Sequence, residues 1–404
     1  MLSILVTIYF PATCDSSCQH AYTTGLPNDN AFFAHPNVTL DPFYETPANF
    51  SSYNVGSLVK WENIHHLDGK PLPATGYPQL ASSCHRLGSW HSRLHPQCAP
   101  SNNKGLQYNW QAPFTLAQQG YVVIAPDYAG LGSTIPIGFM YNSGILHAAD
   151  VSNSVKAVRE AFSRIEDSVG ITPEWMVIGH SEGTIGNFIG AVVISPANEV
   201  INLLPEIIDR ANGGPLREVF VPFMLRSIAR RFPSFNVTAY MTQKLLDLTG
   251  LAISGSGCLN TAVLLLYNLT LADMYSANAS FLSSPEVVAW KEKYAGQGPK
   301  LLGGPLLILH GRDDEMIPWN FNYEVMNAHC KAFPFSQLMY SVLPMVDHDG
   351  ALVASSPIWS AWIKERLDGR YVGSACVVYD TIEAFGRYSS TEKVWISGGL
   401  VDVQ

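Results

Sequence analysis

Charge is what this chain has least of. Asp, Glu, Lys and Arg make up 14% of its 404 residues, well under the roughly one quarter usual in soluble domains. Basic residues are the scarcer kind: 24 Lys and Arg stand against 33 Asp and Glu, for a formal net charge of −9. That balance leaves no electrostatic footprint for nucleic acid or an anionic membrane surface. Internal repeats and low-complexity tracts are missing. So is any apolar run of the roughly 18 residues a membrane helix needs, so no transmembrane span is expected. Disorder is excluded as well, because 47% of the residues are hydrophobic and 11% aromatic, far above what unfolded chains carry.

The N-terminus and the cysteines speak to compartment. Residues 2–10, LSILVTIYF, are apolar and short, which suits the core of a signal peptide within 1–18. No Lys or Arg precedes Lys60 and no A-x-A site follows the run, so a buried strand is the competing reading. Five triplets fit the N-glycosylation acceptor pattern, at Asn37, Asn49, Asn236, Asn268 and Asn278. Seven cysteines, at 14, 18, 84, 98, 258, 330 and 376, fit an oxidising compartment. One thiol is then left over or lost with the signal. Cys98 with Cys258 and Cys330 with Cys376 are candidate pairs, although sequence does not fix pairing. Cys84, His85, His91, His95 and Cys98 imitate zinc-ligand spacing. In an oxidising compartment those cysteines are expected to be bridged or buried, and no metal is expected. The picture is a secreted, extracellular glycoprotein.

Patterning along the chain predicts an α/β fold. Residues 20–53, rich in Pro, Asn, Thr and Phe, read as an irregular arm. Val55, Ser57, Val59 and Trp61 alternate like a strand. Pro113 to Gly120 reads as a short helix and Tyr121 to Ala125 as a buried strand. Residues 146–166 carry Val151, Val155, Val158, Phe162 and Ile165 on one helical face. A strand at 175–178 leads to Gly179-His180-Ser181-Glu182-Gly183, then to an apolar helix running to about Val193. Strands follow at 306–309 and 338–343, and a closing helix at 358–368. Such alternation implies a mostly parallel central sheet flanked by helices. Residues 196–300 break it with a largely helical stretch, read as an inserted cap over the sheet's C-terminal edge. Residues 19–195 and 301–404 are then two parts of one domain.

Gly179-x-Ser181-x-Gly183 is a nucleophile-elbow pattern, with an apolar strand before it and a helix expected after it. A serine hydroxyl is a weak nucleophile at neutral pH and needs a base. The chain order Ser, acid, His is met by Asp314, in HGRDDEMIP after a buried strand, and by His348, in VDHDG after the next. Asp313 and Glu315 rival Asp314, and His310 rivals His348, though its place before a glycine at a strand end suggests packing. His180 reads as a neighbour of the nucleophile rather than a base. An oxyanion hole needs two N–H donors: Glu182 supplies one, and Asp127-Tyr128, after the strand at 121–125, is the expected second.

The segments GYVVIAPDYAGLG (120–132), GHSEG (179–183), HGRDDEMIP (310–318) and the His348 loop resemble the fungal secretory lipase family over roughly residues 40–370. The resemblance implies an α/β-hydrolase with a helical cap and a C-terminal flap, and an Asp127 position that helps form the oxyanion hole. It implies a lipase or esterase acting on triacylglycerol or other acyl esters without metal or organic cofactor. The partners it implies are small-molecule or lipid ester substrates at a lipid–water interface, and a monomer is expected. Some relatives deacylate fungal secondary metabolites such as trichothecenes, and others look like peptidases. An acyltransferase shares the same triad. An inactive binding protein on this fold is the alternative from another class. Low charge and an apolar cap predict a preference for uncharged, apolar esters. A neutral His348 predicts activity falling below about pH 6.

Overall fold

Short apolar runs become the central strands. A computed structural model describes residues 10–33, 83–87, 95–103, 112–132, 135, 137–163, 174–180, 189–296, 298–370, 373 and 375–378. Among them the strands are β1 (Ser83–Leu87), β2 (Val123–Ile124), β3 (Met176–His180), β4 (Gly190–Ile194), β5 (Leu306–Gly311), β6 (Leu338–Leu343) and β7 (Cys376–Val378). They form one sheet in the order β2-β1-β3-β4-β5-β6-β7, with every pairing parallel. Each residue of β3, β4 and β5 is buried. Strands covered on both faces read as continuous apolar runs rather than alternating ones.

The helices are α1 (Ser16–Phe32), α2 (Pro113–Gln118), α3 (Gly144–Ser163), α4 (Val200–Ala211), α5 (Val221–Arg231) and α6 (Gln243–Ser254). They continue as α7 (Leu259–Leu266), α8 (Leu271–Met274), α9 (Pro285–Lys293), α10 (Trp319–Ala332), α11 (Gly350–Ala354) and α12 (Ser356–Leu367). The two faces of the sheet sort by strand alternation. Met176, Ile178, Val192 and Ile194 pack with Leu116 of α2, Leu352 of α11 and Trp359 and Trp362 of α12. Val177, Ala191 and Val193 face the other way, into a cluster with Val151 of α3, Met326 of α10 and the interior of α4–α9.

Helices α4–α9 lie between β4 and β5 in sequence, within the stretch that interrupts the strand–helix alternation. Local signals start them. Thr242 Oγ1 accepts from Leu245 N–H at 3.1 Å ahead of α6, and Thr270 with Asp273 forms a capping box at α8. Ser284 caps α9, which has Pro285 at its first position and Lys291 and Lys293 in its last turn.

Two readings change. Residues 190–194, expected as the end of the elbow helix, are β4. Gly-Ala-Val-Val-Ile suits helix or strand by apolarity alone, and its stiff β-branched centre packs well in a sheet. Gly190 also leaves room for Trp362, whose Cη2 would lie 2.7 Å from an added Cβ. Residues 20–32, read as the start of an irregular arm, belong to α1, despite Pro27 inside it. The helix is held from outside: Asp29 accepts from the N–H groups of Cys258, Asn260 and Thr261 at 2.7–3.1 Å at the start of α7. Tertiary contact overrides propensity here. Within residues 10–18, placed in a possible signal segment at 1–18, Phe10, Thr13, Cys14 and Cys18 make contacts and Cys14 is buried. The Phe10 ring meets Tyr22 edge-on at 5.7 Å, Cys14 bridges Cys18, and Thr13 Oγ1 donates to Asp247 Oδ2 at 2.5 Å. The strand expected at 55–61 and the residues after 378 lie outside the described residues.

Candidate active site

The acid loop begins where β5 ends. Gly311 closes the strand, and a Cβ there would lie 2.2 Å from Val346 O and 2.6 Å from Asp347 O, so only glycine lets the next loop approach. Backbone bonds knit the two loops: Arg312 N–H donates to Leu343 O at 2.8 Å, and Asp313 N–H to Val346 O at 3.0 Å. The acid and the histidine therefore arise from adjacent strands, β5 and β6, at the same edge.

Asp314 is buried and saturated. Its Oδ1 accepts from Met316 N–H at 2.9 Å and Ile317 N–H at 2.7 Å. Its Oδ2 lies 2.8 Å from His348 Nδ1 and 3.0 Å from His310 Nε2. Burial alone would raise this carboxyl. The His348 charge and the hydrogen bonds from both imidazoles outweigh it and hold the carboxyl well below the usual carboxylate range. His348 shows the converse. Burial would lower its pKa, but the charge of Asp314 and the bond to it win, and the ring's pKa is raised above the usual histidine value. Asp349 and Glu315 push in the same direction.

His310, weighed as a rival base, instead braces the acid. Its Nε2 also lies 2.9 Å from Ile317 O, and Asn322 Nδ2 lies 3.4 Å from its Nδ1. The four-residue spacing from His310 to Asp314 was the available signal. Nothing in the sequence pointed to Asn322, which is itself fixed by a bond to Pro196 O at 2.8 Å. Asp313 and Glu315 do not take the Asp314 position.

β3 stops at His180, and Ser181 and Glu182 lie outside the described residues. His180 is fully buried and its Nε2 is 3.0 Å from His348 O. The residue before the expected nucleophile thus touches the residue expected to be the base. Asp127 is placed differently from expectation. It follows β2, which β1 separates from β3, so it stands two strands, roughly 10 Å, from the elbow strand. Its carboxylate accepts from Ser101 N–H at 3.1 Å and Ser101 Oγ at 2.5 Å. The strand beside β3 is β1, and the loop after it, residues 88–94, lies outside the described residues.

A cavity of about 380 Å³ separates α4 and residues 215–220 from the acid loop, lined in part by Leu203, Ile207, Leu216, Phe220, Met316 and Ile317. Two arginines also border it. Arg210 pairs with Glu206, and Arg217 lies 5.8 Å from the Tyr267 ring centre. Glu218, which sequence reading missed, is buried at the same cavity.

Among the described residues, the group able to hold a metal ion is His180, His348 and Asp349, with ligand atoms within 4.8 Å of one another. His180 Nε2 and His348 Nδ1 are already engaged with a carbonyl and with Asp314. An ion would have to displace those bonds or take the other nitrogen of each ring. Of the zinc-like spacing at 84–98, Cys98 is bridged to Cys258 and His95 Nδ1 accepts from Gln97 N–H at 3.2 Å, while the side chains of Cys84, His85 and His91 lie outside the described residues. Cys330 is bridged to Cys376. Of the acceptor asparagines, Asn236 and Asn268 are exposed; Asn37 and Asn49 lie outside the described residues, as does the Asn278 side chain.

A parallel sheet with helices on both faces, carrying an acid and a histidine on loops after successive strands, is an α/β-hydrolase. The secretory lipase family model matches residues 100–375. The chain belongs to that family and is a carboxylic ester hydrolase. It is 23% identical over 404 residues to the secreted triacylglycerol lipase LIP2 of Malassezia globosa, covering 84% of each. It is 23% identical to lipase 10 of Candida albicans, covering 86% of this chain and 71% of that one. Among solved structures, Candida antarctica lipase A in its closed state aligns at TM-score 0.63 with 18% identity, over 89% of this chain and 93% of that one. The rice cell wall degrading esterase LipA of Xanthomonas oryzae aligns at 0.54 with 13% identity, over 73% and 83%.

Proposed function

We propose that the protein is a secreted serine lipase that cleaves lipid esters through an acyl-enzyme on Ser181. The observation that carries this reading is the buried Asp314–His348 pair, at 2.8 Å, against the end of the elbow strand. His348 Nε2 takes the Ser181 proton as Oγ attacks the ester carbonyl, and returns it to the leaving alcohol. Asp314 keeps Nδ1 protonated and stabilises the imidazolium without taking its proton. The Glu182 N–H stabilises the oxyanion, with a second donor from the loop after β1, the strand next to the elbow strand. Asp127 serves in holding the 95–103 segment through Ser101.

Helices α4–α9 act as the cap, and the apolar side chains on the cavity facing the acid loop, Leu203, Ile207, Leu216, Phe220, Met316 and Ile317, favour uncharged acyl chains, triacylglycerol among them. No described helix is long and apolar enough to cross a membrane. Secretion is supported by the bridged cysteines and by relatives named as secreted. A leader cut at residue 18 would sever the segment carrying Phe10, Thr13 and Cys14, so any cut falls ahead of Phe10.

The test is Ser181→Ala with an active-site phosphonate and a panel of p-nitrophenyl esters, a triglyceride emulsion and proline-type amides. Activity should fall about 10⁴-fold or more in a folded variant, and phosphonate should label Ser181 in the parent. Because the pKa of His348 is raised, the acid limb of kcat/KM should lie above about 6.5, the ordinary histidine value, rather than near 6. Label on another serine, or an activity maximum near pH 4, would refute the assignment.

A further inference from the structure

We propose that His180 is a positioning residue, whose buried Nε2–H ties the carbonyl of His348 to the end of the elbow strand and so sets the base relative to Ser181. The inference rests on the triad reading above and assigns a role to a residue outside the triad.

Strand alternation puts His180 where it can do this. In β3, Met176, Ile178 and His180 point to one face, and the first two pack against α11 and α12. The His348 loop runs directly into α11, so the third side chain of that row meets the loop. Its ring stands 4.7 Å from the His348 ring, tilted by 49°. A carbonyl can only accept, so Nε2 at 3.0 Å carries the proton. A second donor, Ser195 Oγ just beyond β4, reaches the same carbonyl at 3.4 Å. Asp349 Oδ1 lies 4.0 Å from His180 Nε2 and favours its protonated nitrogen.

Two constraints then act on His348 from different strands. Asp314, after β5, fixes the rotation of the ring through Nδ1. His180 and Ser195, at the ends of β3 and β4, fix the peptide plane that carries the ring. Backbone bonds tie the His348 loop to the acid loop, so the acid alone would let the two loops and the ring move together relative to the elbow strand. The tether removes that freedom and makes the residue next to the nucleophile its anchor. A misplacement of about 1 Å at such a site is worth about 100-fold in rate.

The experiment compares His180→Phe with His180→Gln, whose side-chain amide restores a donor at a similar reach. Readouts are kcat and KM on a neutral ester, the rate of phosphonate inactivation, and the downfield proton resonance of His348 Nδ1–H. The phenylalanine variant should lose about 10- to 100-fold in kcat with KM near the parent value. Its inactivation should slow in parallel and its resonance should shift or broaden. The glutamine variant should return to within a few-fold of the parent. A folded phenylalanine variant with parental kcat, or glutamine and phenylalanine variants equally impaired, would overturn the proposal. If the phenylalanine variant does not fold, Ser195→Ala removes the other donor to the same carbonyl. A several-fold fall in kcat at constant KM then supports the tether, and unchanged kcat sinks it. Failure of the triad reading itself is seen separately, as phosphonate that does not label Ser181 in the parent.

Discussion

The molecule buries two carboxylates in opposite ways. Asp314 sits at the sheet edge, with two backbone N–H groups on one oxygen and two imidazoles on the other. Glu218 sits across the cavity between α4 and α5, with Phe220 N–H at 2.6 Å and Val221 N–H at 2.9 Å on one oxygen, and the phenol of Tyr275 as its side-chain neighbour. Burial raises both, but only Asp314 ends below its ordinary range; Glu218 is pushed up to about 7. Asp29 separates the two causes. It accepts from three backbone N–H groups, the Asn260 amide and the Thr261 hydroxyl, and burial still leaves its pKa raised. Neutral donors leave a buried carboxyl above its ordinary range, whereas imidazole partners and the charge of His348 bring it below. The sheet edge is built to keep a charge, and the cap to tolerate one.

The largest effect should come from breaking the charged side of that comparison. Asp314→Asn keeps the shape and removes the charge that fixes the His348 tautomer. A loss in kcat of about 10³- to 10⁴-fold is expected, read on a soluble ester in the folded variant. Because Asp314 stabilises the fold only above its unfolded pKa, with that stability lost as pH falls, the variant should also denature less steeply with acid. A loss under tenfold would mean that Asp313 or Glu315 can substitute for Asp314.

The cap side should break without touching the chemistry. The Cys98–Cys258 bridge joins the segment ahead of β2 to the start of α7, across 160 positions of sequence. Replacing both by serine should lower stability by about 3–5 kcal/mol, measured as a shift in denaturation midpoint. Below the new transition, kcat on a short ester should stay within about twofold, since Asp314 and His348 are held by β5 and β6 and not by α7. An equal fall in kcat at low temperature would show that cap and sheet edge act as one unit.

How much of this was legible follows from where each part gets its stability. β5 and β6 read directly because buried parallel strands are uniform apolar runs, and Asp314 and His348 read with them because each follows such a run. α1 did not read: Gly25 and Pro27 argue against a helix, and what holds it, the backbone N–H groups at the start of α7 that Asp29 accepts from, lies some 230 residues away in sequence. β4 did not read because its five apolar residues fit either periodicity. The misplacement of Asp127 has another cause. Its loop looked right locally, but strand order puts β1 between β2 and β3, and order across a sheet is not written in any single run. Glu218 gave no signal, since a lone glutamate before Val-Phe-Val-Pro reads as surface charge.

The smallest effect sharpens the comparison most. With its folded pKa raised to about 7 above the ordinary glutamate value, Glu218 contributes stability at low pH that is lost as pH rises through about 7. Across that window the loss is on the order of 2–3 kcal/mol. Glu218→Gln keeps an oxygen for the Phe220 and Val221 N–H groups and cannot ionise. The variant should therefore match the parent near pH 5 and exceed it near pH 8.5, read as urea midpoints along a pH series. A parent whose midpoints stay flat from pH 5 to 8.5 would mean that Tyr275 donates strongly enough to hold the carboxylate ionised, and that a phenol can do in the cap what imidazole does at the sheet edge. The variant gaining nothing at pH 8.5 while the parent declines would place the decline on another group. Either result would separate the part played by hydrogen bonds from the part played by charge, which the two carboxylates otherwise show only together.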